Sequence, residues 1–318
     1  MQAGSPGRHA LAPARGSLGR RALGRDWQIA WPFLTPLLVV LIGLIAYPFV
    51  SAIVLSMQRK MVGTPAEWVG LANYRELLLG AQYGPIFQHS VVISMIYTVV
   101  SILAKLVIGF CMALLLNEQF RGRAFMRGLL FLPWAMPSLI VALTWRWIYE
   151  GTPSGLLNLI RIDVFGAKTL VQWLANPDYA LWSTIVGVVW QGTPFWCMML
   201  LAGMQAIPDQ LYEAAAIDGA SAWQRFWHVT VPNLRSVLIV TTLLSTIWTA
   251  NSINFIYILT RGGPAGATMT FPMLAFDVGV TGAGQMGMGA AISVLFFPLF
   301  IVAIYFLTRH MLSSEARA

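Results

Sequence analysis

Charge is rare along this chain, and where it falls divides the sequence into long apolar runs separated by short polar stretches. Ile29 to Met57 carries no charged residue. Five more apolar runs follow at Val91–Leu116, Gly128–Ile148, Tyr179–Met204, Ser236–Thr260 and Met286–Thr308. A helix rising 1.5 Å per residue crosses a hydrocarbon core of about 30 Å in about 20 residues. Each run is long enough, so the pattern predicts an all-α polytopic membrane protein with six transmembrane helices. An even count puts both termini on one side.

Between the fourth and fifth runs the pattern changes. The stretch YEAAAIDGASAWQRFWHVTVP, Tyr212 to Pro232, is amphipathic and charged. Asp209 to Asp218 is predicted to form one short helix ended by Gly219, which takes positive φ without a Cβ clash. Ser221 and Gln224 have the spacing of a capping box and open a second helix. Pro232 is expected to stop that helix. The segment reads as helix, corner, helix at one mouth of the bundle. On the opposite side the connections are longer. Residues 58–90 hold VGLANYRELL, a short amphipathic helix, and residues 261–285 hold RGGPAGATMTF, a turn.

Composition supports the membrane reading. Of 318 residues, 58% are hydrophobic and 10% charged, against about 25% charged in an ordinary soluble domain. The net charge of +8 does not suggest nucleic acid, because the arginines are not gathered on a soluble domain. Orientation accounts for them better. With the N-terminus in the cytoplasm, twelve Lys and Arg lie inside: Arg8, Arg15, Arg20, Arg21, Arg25, Arg121, Arg123, Arg127, Arg225, Arg235, Arg309 and Arg317. Seven lie outside: Arg59, Lys60, Arg75, Arg146, Arg161, Lys168 and Arg261. The positive-inside rule then places both termini and the 205–235 segment in the cytoplasm. Residues 1–28 read as a basic cytoplasmic tail and residues 29–57 as a retained first span, too long for the h-region of a signal peptide. Trp27 and Trp31 suit the interface at its start.

Enzyme chemistry is not expected. No lysine among Lys60, Lys105 and Lys168 follows a GxxxxG run, so there is no P-loop and ATP hydrolysis belongs to another chain. His9, His89, His228 and His310 form no metal-binding pair, and Cys111 and Cys197 lie apart in apolar spans. An ion-coupled secondary transporter of small polar solutes is the alternative reading. It usually needs intramembrane carboxylates and internal repeats, and this chain shows neither.

Three polar features fall within the spans. Lys105 is an intramembrane charge expected to face a polar bundle interior or to snorkel. Arg146 and Glu150 are four apart and are expected to pair. In the fifth span Ser245, Trp248, Thr249 and Ser252 share one helical face. Hydroxyls and an aromatic ring suit a sugar, and they equally suit hydrogen bonding between helices; the pattern leaves both open. In the fourth span Gly192-Thr193-Pro194 is expected to break the helix.

The 212–232 stretch resembles the signature of bacterial ATP-binding-cassette importer membrane subunits: EAA, three residues, Gly, nine residues, then Ile-x-Leu-Pro. Here Glu213-Ala214-Ala215 precedes Gly219, and Val229-Thr230-Val231-Pro232 follows at the same spacing. The longer EAAxxDGAS is similar to the maltose and glycerol-phosphate type sugar permeases, as are VGLANY, FLPWAMPSLIVALTWRWIY and the Gly-Gly-Pro turn. The resemblance runs from about Pro48 to Thr308. It implies the type I importer permease fold over residues 88–308, with a coupling loop at 205–235 and a cytoplasmic tail at 309–318. It implies that Glu213, Ala214, Ala215, Asp218, Gly219 and Pro232 dock on an ATPase. The implied partners are two ATPase subunits that bind ATP and Mg, a second homologous permease and an extracytoplasmic solute-binding protein, in the inner membrane of a bacterium. The implied sugar path is Val188, Gly192 and Phe195 with Ser245, Trp248, Thr249 and Ser252. Phe195 and Thr249 depart from the tyrosine and asparagine of that pocket. Disaccharide, monosaccharide, polyol and glycerol phosphate all remain open as substrates, and Lys105 is the only basic group in the path to favour the last.

Overall fold

Every apolar run becomes helix in the computed structural model, which describes residues 26–315. The chain divides into two compact units, residues 1–51 and 52–318. Most of the expected basic tail, with Arg8, Arg15, Arg20, Arg21, Arg25 and His9, lies outside the described residues, as does Arg317.

The described part of the first unit is helical. Helix α1 (Asp26–Leu41) passes through a wide π turn at Ile42–Ala46 into α2 (Tyr47–Ser56). Phe33, Leu44 and Tyr47 are exposed along it.

In the second unit the end of α2 leads to an antiparallel ribbon, β1 (Gln58–Arg59) with β2 (Glu67–Trp68), and then α3 (Ala72–Leu79). The Asn-Tyr of the VGLANY motif explains this corner. Asn73 Nδ2 donates to the carbonyls of Ser56 at 2.8 Å and Gln58 at 2.9 Å, and the Tyr74 and Ser56 hydroxyls lie 2.6 Å apart. The Asn73 side chain thus satisfies two backbone carbonyls where α2 ends, and Tyr74 ties down the Ser56 hydroxyl.

Helix α4 (Gly84–Asn117) has 34 residues, about 51 Å by its rise. The next span is not the single helix expected. It is a pair, α5 (Arg123–Ala135) and α6 (Ser138–Ile148), bent by 91°. Met136 at the bend is extended, ψ 142°, because the proline ring at 137 disfavours helical backbone in the residue before it. Arg146 and Glu150 form no ion pair. Helix α6 ends at Ile148, so Glu150 lies past the helical spacing that would bring the two together. The ion pair among the described residues is Arg59–Glu67, 3.5 Å and exposed. In the following connection α7 (Leu156–Asp163) is anchored by Asn158, whose side chain bonds to Glu150 and Val171 backbone.

Helix α8 (Pro177–Gln205) starts at an Asn176 cap. It runs through Pro194 without the break expected at Gly192-Thr193-Pro194. The proline removes one backbone bond, and the buried Thr193 hydroxyl adds one back-bond to the Val189 carbonyl at 2.7 Å. The break lies in the next span instead. Helix α12 (Arg235–Asn251) stops at Ser252, whose backbone is extended, and α13 (Asn254–Leu259) resumes the path. Between α8 and α12 lie α9 (Asp209–Ile217), α10 (Ala222–Arg225), a π turn at Phe226–Thr230 and α11 (Val231–Asn233). After α13 come α14 (Phe271–Phe276), a π turn at Asp277–Thr281 and α15 (Met286–Glu315).

Among the described residues, four helical stretches are long and apolar enough to span a membrane, and the bent α5–α6 pair makes five. Helix α15 adds a shorter apolar stretch, Met286–Pro298. The core sits between α4 and α8. Trp196, Cys197 and Leu200 of α8 are buried with Ala113 and Leu116 of α4, and Tyr97 is buried with Val141, Ile185 and Phe255. Outward, Leu103, Val107 and Trp182 are exposed. Apolar outside and polar bonds within is the arrangement of helices in lipid, where packing and hydrogen bonds hold the bundle.

Candidate functional site

The breaks of two spans meet, and a cavity opens beside them. Gln191 Nε2 of α8 donates to the Met136 carbonyl at the α5–α6 bend, 3.1 Å. Asn254 Nδ2, at the start of α13, donates to Ser138 Oγ at the start of α6, 2.7 Å. The adjoining cavity is about 220 Å³. Val188, Gly192 and Phe195 line it from α8, and Ser245, Trp248, Thr249 and Ser252 from α12 and its end. All seven residues expected of the path therefore border one space. The pattern had put Ser252 on the helical face; it arrives there as the extended residue that ends α12.

Lys105, the basic group expected in the path, lines it too, and two further lining residues were not grouped with these by sequence: Trp134 and Gln191. Trp134 ends α5 and stacks on Phe195, with ring centroids 6.1 Å apart. Phe195 in turn meets Trp248 at 5.1 Å. Trp248 remains 51% exposed, while Ser245 and Thr249 are buried. Their hydroxyls already have partners: Ser245 Oγ accepts from the buried Trp196 Nε1 at 3.0 Å, and Thr249 Oγ1 accepts from Lys105 Nζ at 2.9 Å. A hydroxyl that accepts one bond still has its own proton to donate, so interhelical bonding and ligand contact are compatible at both positions. Lys105 faces the bundle interior at 3% exposure and does not snorkel. Gly192 makes room for it. A Cβ there would lie 2.6 Å from Lys105 Cε and 3.0 Å from Nζ.

The Ser245–Trp196 bond gives a direct test. Ser245→Ala leaves a buried indole N–H without an acceptor, a loss of about 1–3 kcal/mol. A lower thermal unfolding midpoint of the purified protein is expected, and the drop caused by Ser245→Ala should be smaller in a Trp196→Phe background, where no indole N–H is left unpaired. An unchanged midpoint in the single variant would contradict the bond.

At the other end of α8 the 205–235 segment builds an elbow. Helix α9 ends at Ile217, and Gly219 has φ +78°. The Gly219 and Ala220 amides donate to the carbonyls of Ala216 and Ala215, which closes the corner. Ser221 and Gln224 form the expected capping box. Tyr212 OH and Thr230 Oγ1, 3.0 Å apart, tie the two arms together. The second arm ends at Asn233, one residue past Pro232 and close to where it was expected to stop. The π turn at Phe226–Thr230 widens the helix ahead of it, and Pro232 lies within α11. Glu213, Ala214, Asp218, Gly219 and Pro232 are exposed and Ala215 half-buried. Ile217 at 87% and Trp223 at 70% exposure add apolar surface. Exposed carboxylates thus stand beside exposed apolar side chains on this elbow.

Among the described residues no group of His, Cys, Asp or Glu could hold a metal.

The family described as the binding-protein-dependent transport system inner membrane component matches residues 105–312. The trehalose/maltose transport system permease protein MalF of Thermococcus litoralis is 38% identical over 276 residues, covering 86% of this chain and 90% of that one. The diacetylchitobiose uptake system permease protein DasB of Streptomyces coelicolor is 32% identical, covering 94% and 92%. In fold, the chain is similar to one in the crystal structure of a bacterial ABC transporter involved in the import of alginate, with TM-score 0.74 and 20% identity over 92% of this chain and 97% of that one.

Proposed function

This chain belongs to the family of binding-protein-dependent transport system inner membrane components, and we propose that the cavity at Gly192 and Trp248 is its share of a carbohydrate path. The protein is a permease subunit of an ATP-binding-cassette sugar importer. One observation carries the assignment of the path. The α5–α6 bend and the end of α12 bring three hydroxyls and two tryptophan rings to one cavity. A sugar has hydroxyls to bond and an apolar ring face to stack, and such a lining serves both.

The cavity, about 220 Å³, is smaller than the about 300–1,000 Å³ usual for ligand sites. That size fits a half-site completed by a second, homologous permease. Helix α15 supplies a sixth span, and both termini lie in the cytoplasm of a bacterium, beneath its inner membrane. An extracytoplasmic binding protein delivers the sugar. Two ATPase subunits bind ATP and Mg, and one of them receives the elbow through Glu213, Ala214, Ala215 and Asp218, with Gly219 and Pro232 shaping it. When the ATPases close, α9 moves with them and the path changes the side to which it opens.

Proteoliposomes holding this subunit, the second permease and the ATPases test the reading. Given the binding protein and a panel of labelled neutral and acidic sugars, they are expected to accumulate sugar only with ATP. Accumulation driven by an ion gradient without ATPase subunits would instead identify an ion-coupled carrier. A reporter fused after Ala318 should be active only inside the cell, and outer activity would reverse the orientation.

A further inference from the structure

We infer that Lys105 makes the cavity a receptor for an acidic carbohydrate, one bearing a carboxylate, sulfonate or phosphate whose charge pairs with the Lys105 ammonium. This rests on the reading of the cavity as a carbohydrate path and names the class of sugar it takes.

The argument starts from charge. An ammonium has three donors and no acceptor. Lys105, 3% exposed, gives one to Thr249 Oγ1. No ion pair joins it to any described acid. The cavity's other lining residues are apolar, aromatic, hydroxyl or amide groups, so Lys105 is the one ionisable side chain there. A buried charge is retained when it is paired, and an unpaired one is costly. Lys105 is among the residues lining the cavity, where a ligand's own anion can supply what the protein does not.

The surroundings hold the ammonium in place. Gly192 has no side chain, and the Lys105 stem passes where its Cβ would be, 2.6 Å from Cε. Thr249 fixes the head from the opposite helix. One turn back along α4, the buried Ser101 Oγ has no hydrogen-bond partner, and neither does Tyr97 OH. Both residues share the α4 face of Lys105 by helical spacing, although the Tyr97 ring packs in the apolar core. Gln191 and Ser252 border the same cavity with neutral polar groups suited to sugar hydroxyls. The lining therefore divides its tasks: aromatic faces for the ring, hydroxyl and amide for its OH groups, and one cation for an acidic substituent.

The assembled transporter in proteoliposomes, with its binding protein, tests this. The probes are digalacturonate, trehalose 6-phosphate and 6-deoxy-6-sulfoglucose, against maltose, trehalose and glucose. The unmodified transporter is expected to take up at least one acidic probe in preference to its neutral counterpart. Lys105→Gln should reduce that uptake tenfold or more, and by a clearly larger factor than uptake of the neutral counterparts, with assembled complex measured alongside. Lys105→Arg should keep most of the acidic uptake. Uptake of neutral sugars alone by the unmodified transporter would overturn the inference while leaving the sugar-importer reading in place. Equal loss of acidic and neutral uptake in Lys105→Gln would also overturn it, making Lys105 a strut or the counter-ion of the second permease. Uptake of no sugar at all would overturn both. The preference of the unmodified transporter needs no variant, so it decides the matter even if Lys105→Gln fails to assemble.

Discussion

Glu213→Lys is expected to lower sugar uptake about 30-fold or more while leaving the subunit folded and inserted. Glu213 is exposed on α9 and joins no ion pair among the described residues. Reversing its charge therefore costs the subunit little, since exposed substitutions typically shift stability by about 0.5 kcal/mol or less. Its position two turns ahead of the Gly219 corner puts the carboxylate on the arm that we propose meets the ATPase. There it would face a basic residue, and losing one partner of such a docked pair costs about 2–5 kcal/mol. At 1.4 kcal/mol per factor of ten, that is about 30-fold to several thousand-fold. Sugar-stimulated ATP hydrolysis should fall together with uptake, because the same contact carries both. Glu213→Gln should do less, as it removes the attraction without adding repulsion. Wild-type uptake in Glu213→Lys, with normal amounts of complex, would remove α9 from the docking surface. Loss of uptake with full sugar-stimulated hydrolysis would place Glu213 downstream of docking.

The elbow could be read in advance because its determinants are local. A glycine with positive φ, a capping box and an amphipathic run of nine residues act within a few positions of one another. Pro232 marks the end of the second arm to within one residue, but the π turn at Phe226–Thr230 ahead of it has no such local signature. The two breaks show the same limit. The fourth span has Gly, Thr and Pro in succession and stays helical, enclosed by α4 and α12 with its Thr193 bonded to Val189. The fifth breaks at Ser252, where neither Gly nor Pro gives warning. What stabilises that break is distant in sequence: Asn254 bonds to Ser138, 116 positions away. Lys105 was visible as an intramembrane charge, but its partner Thr249 is 144 residues further along. Periodicity put Ser245, Trp248 and Thr249 on one face of a helix; only tertiary structure sets that face against Lys105 and Gly192.

Gly192→Leu is expected to abolish uptake, by about 100-fold or more, through that same juxtaposition. A Cβ at 192 would stand 2.6 Å from Lys105 Cε and 3.1 Å from Cδ, so even Gly192→Ala must push the lysine stem aside. The stem is flexible and its far end borders the cavity, so alanine should be tolerated, with uptake weakened less than tenfold. Leucine adds three further carbons. Gly192 lines the cavity of about 220 Å³, and there these carbons are expected to displace Lys105 from Thr249 and occupy space that we assign to the sugar. Overpacking of this kind costs about 1–3 kcal/mol of stability, so assembled complex must be quantified with transport. A double-mutant cycle separates the two effects. Lys105→Ala removes the atoms that a side chain at 192 would strike, so Gly192→Ala should lose its stability penalty in that background. If the penalty persists unchanged, the collision lies elsewhere. If Gly192→Leu assembles fully and transports normally, the cavity beside Gly192 is not on the substrate path, whatever its hydroxyls and rings suggest.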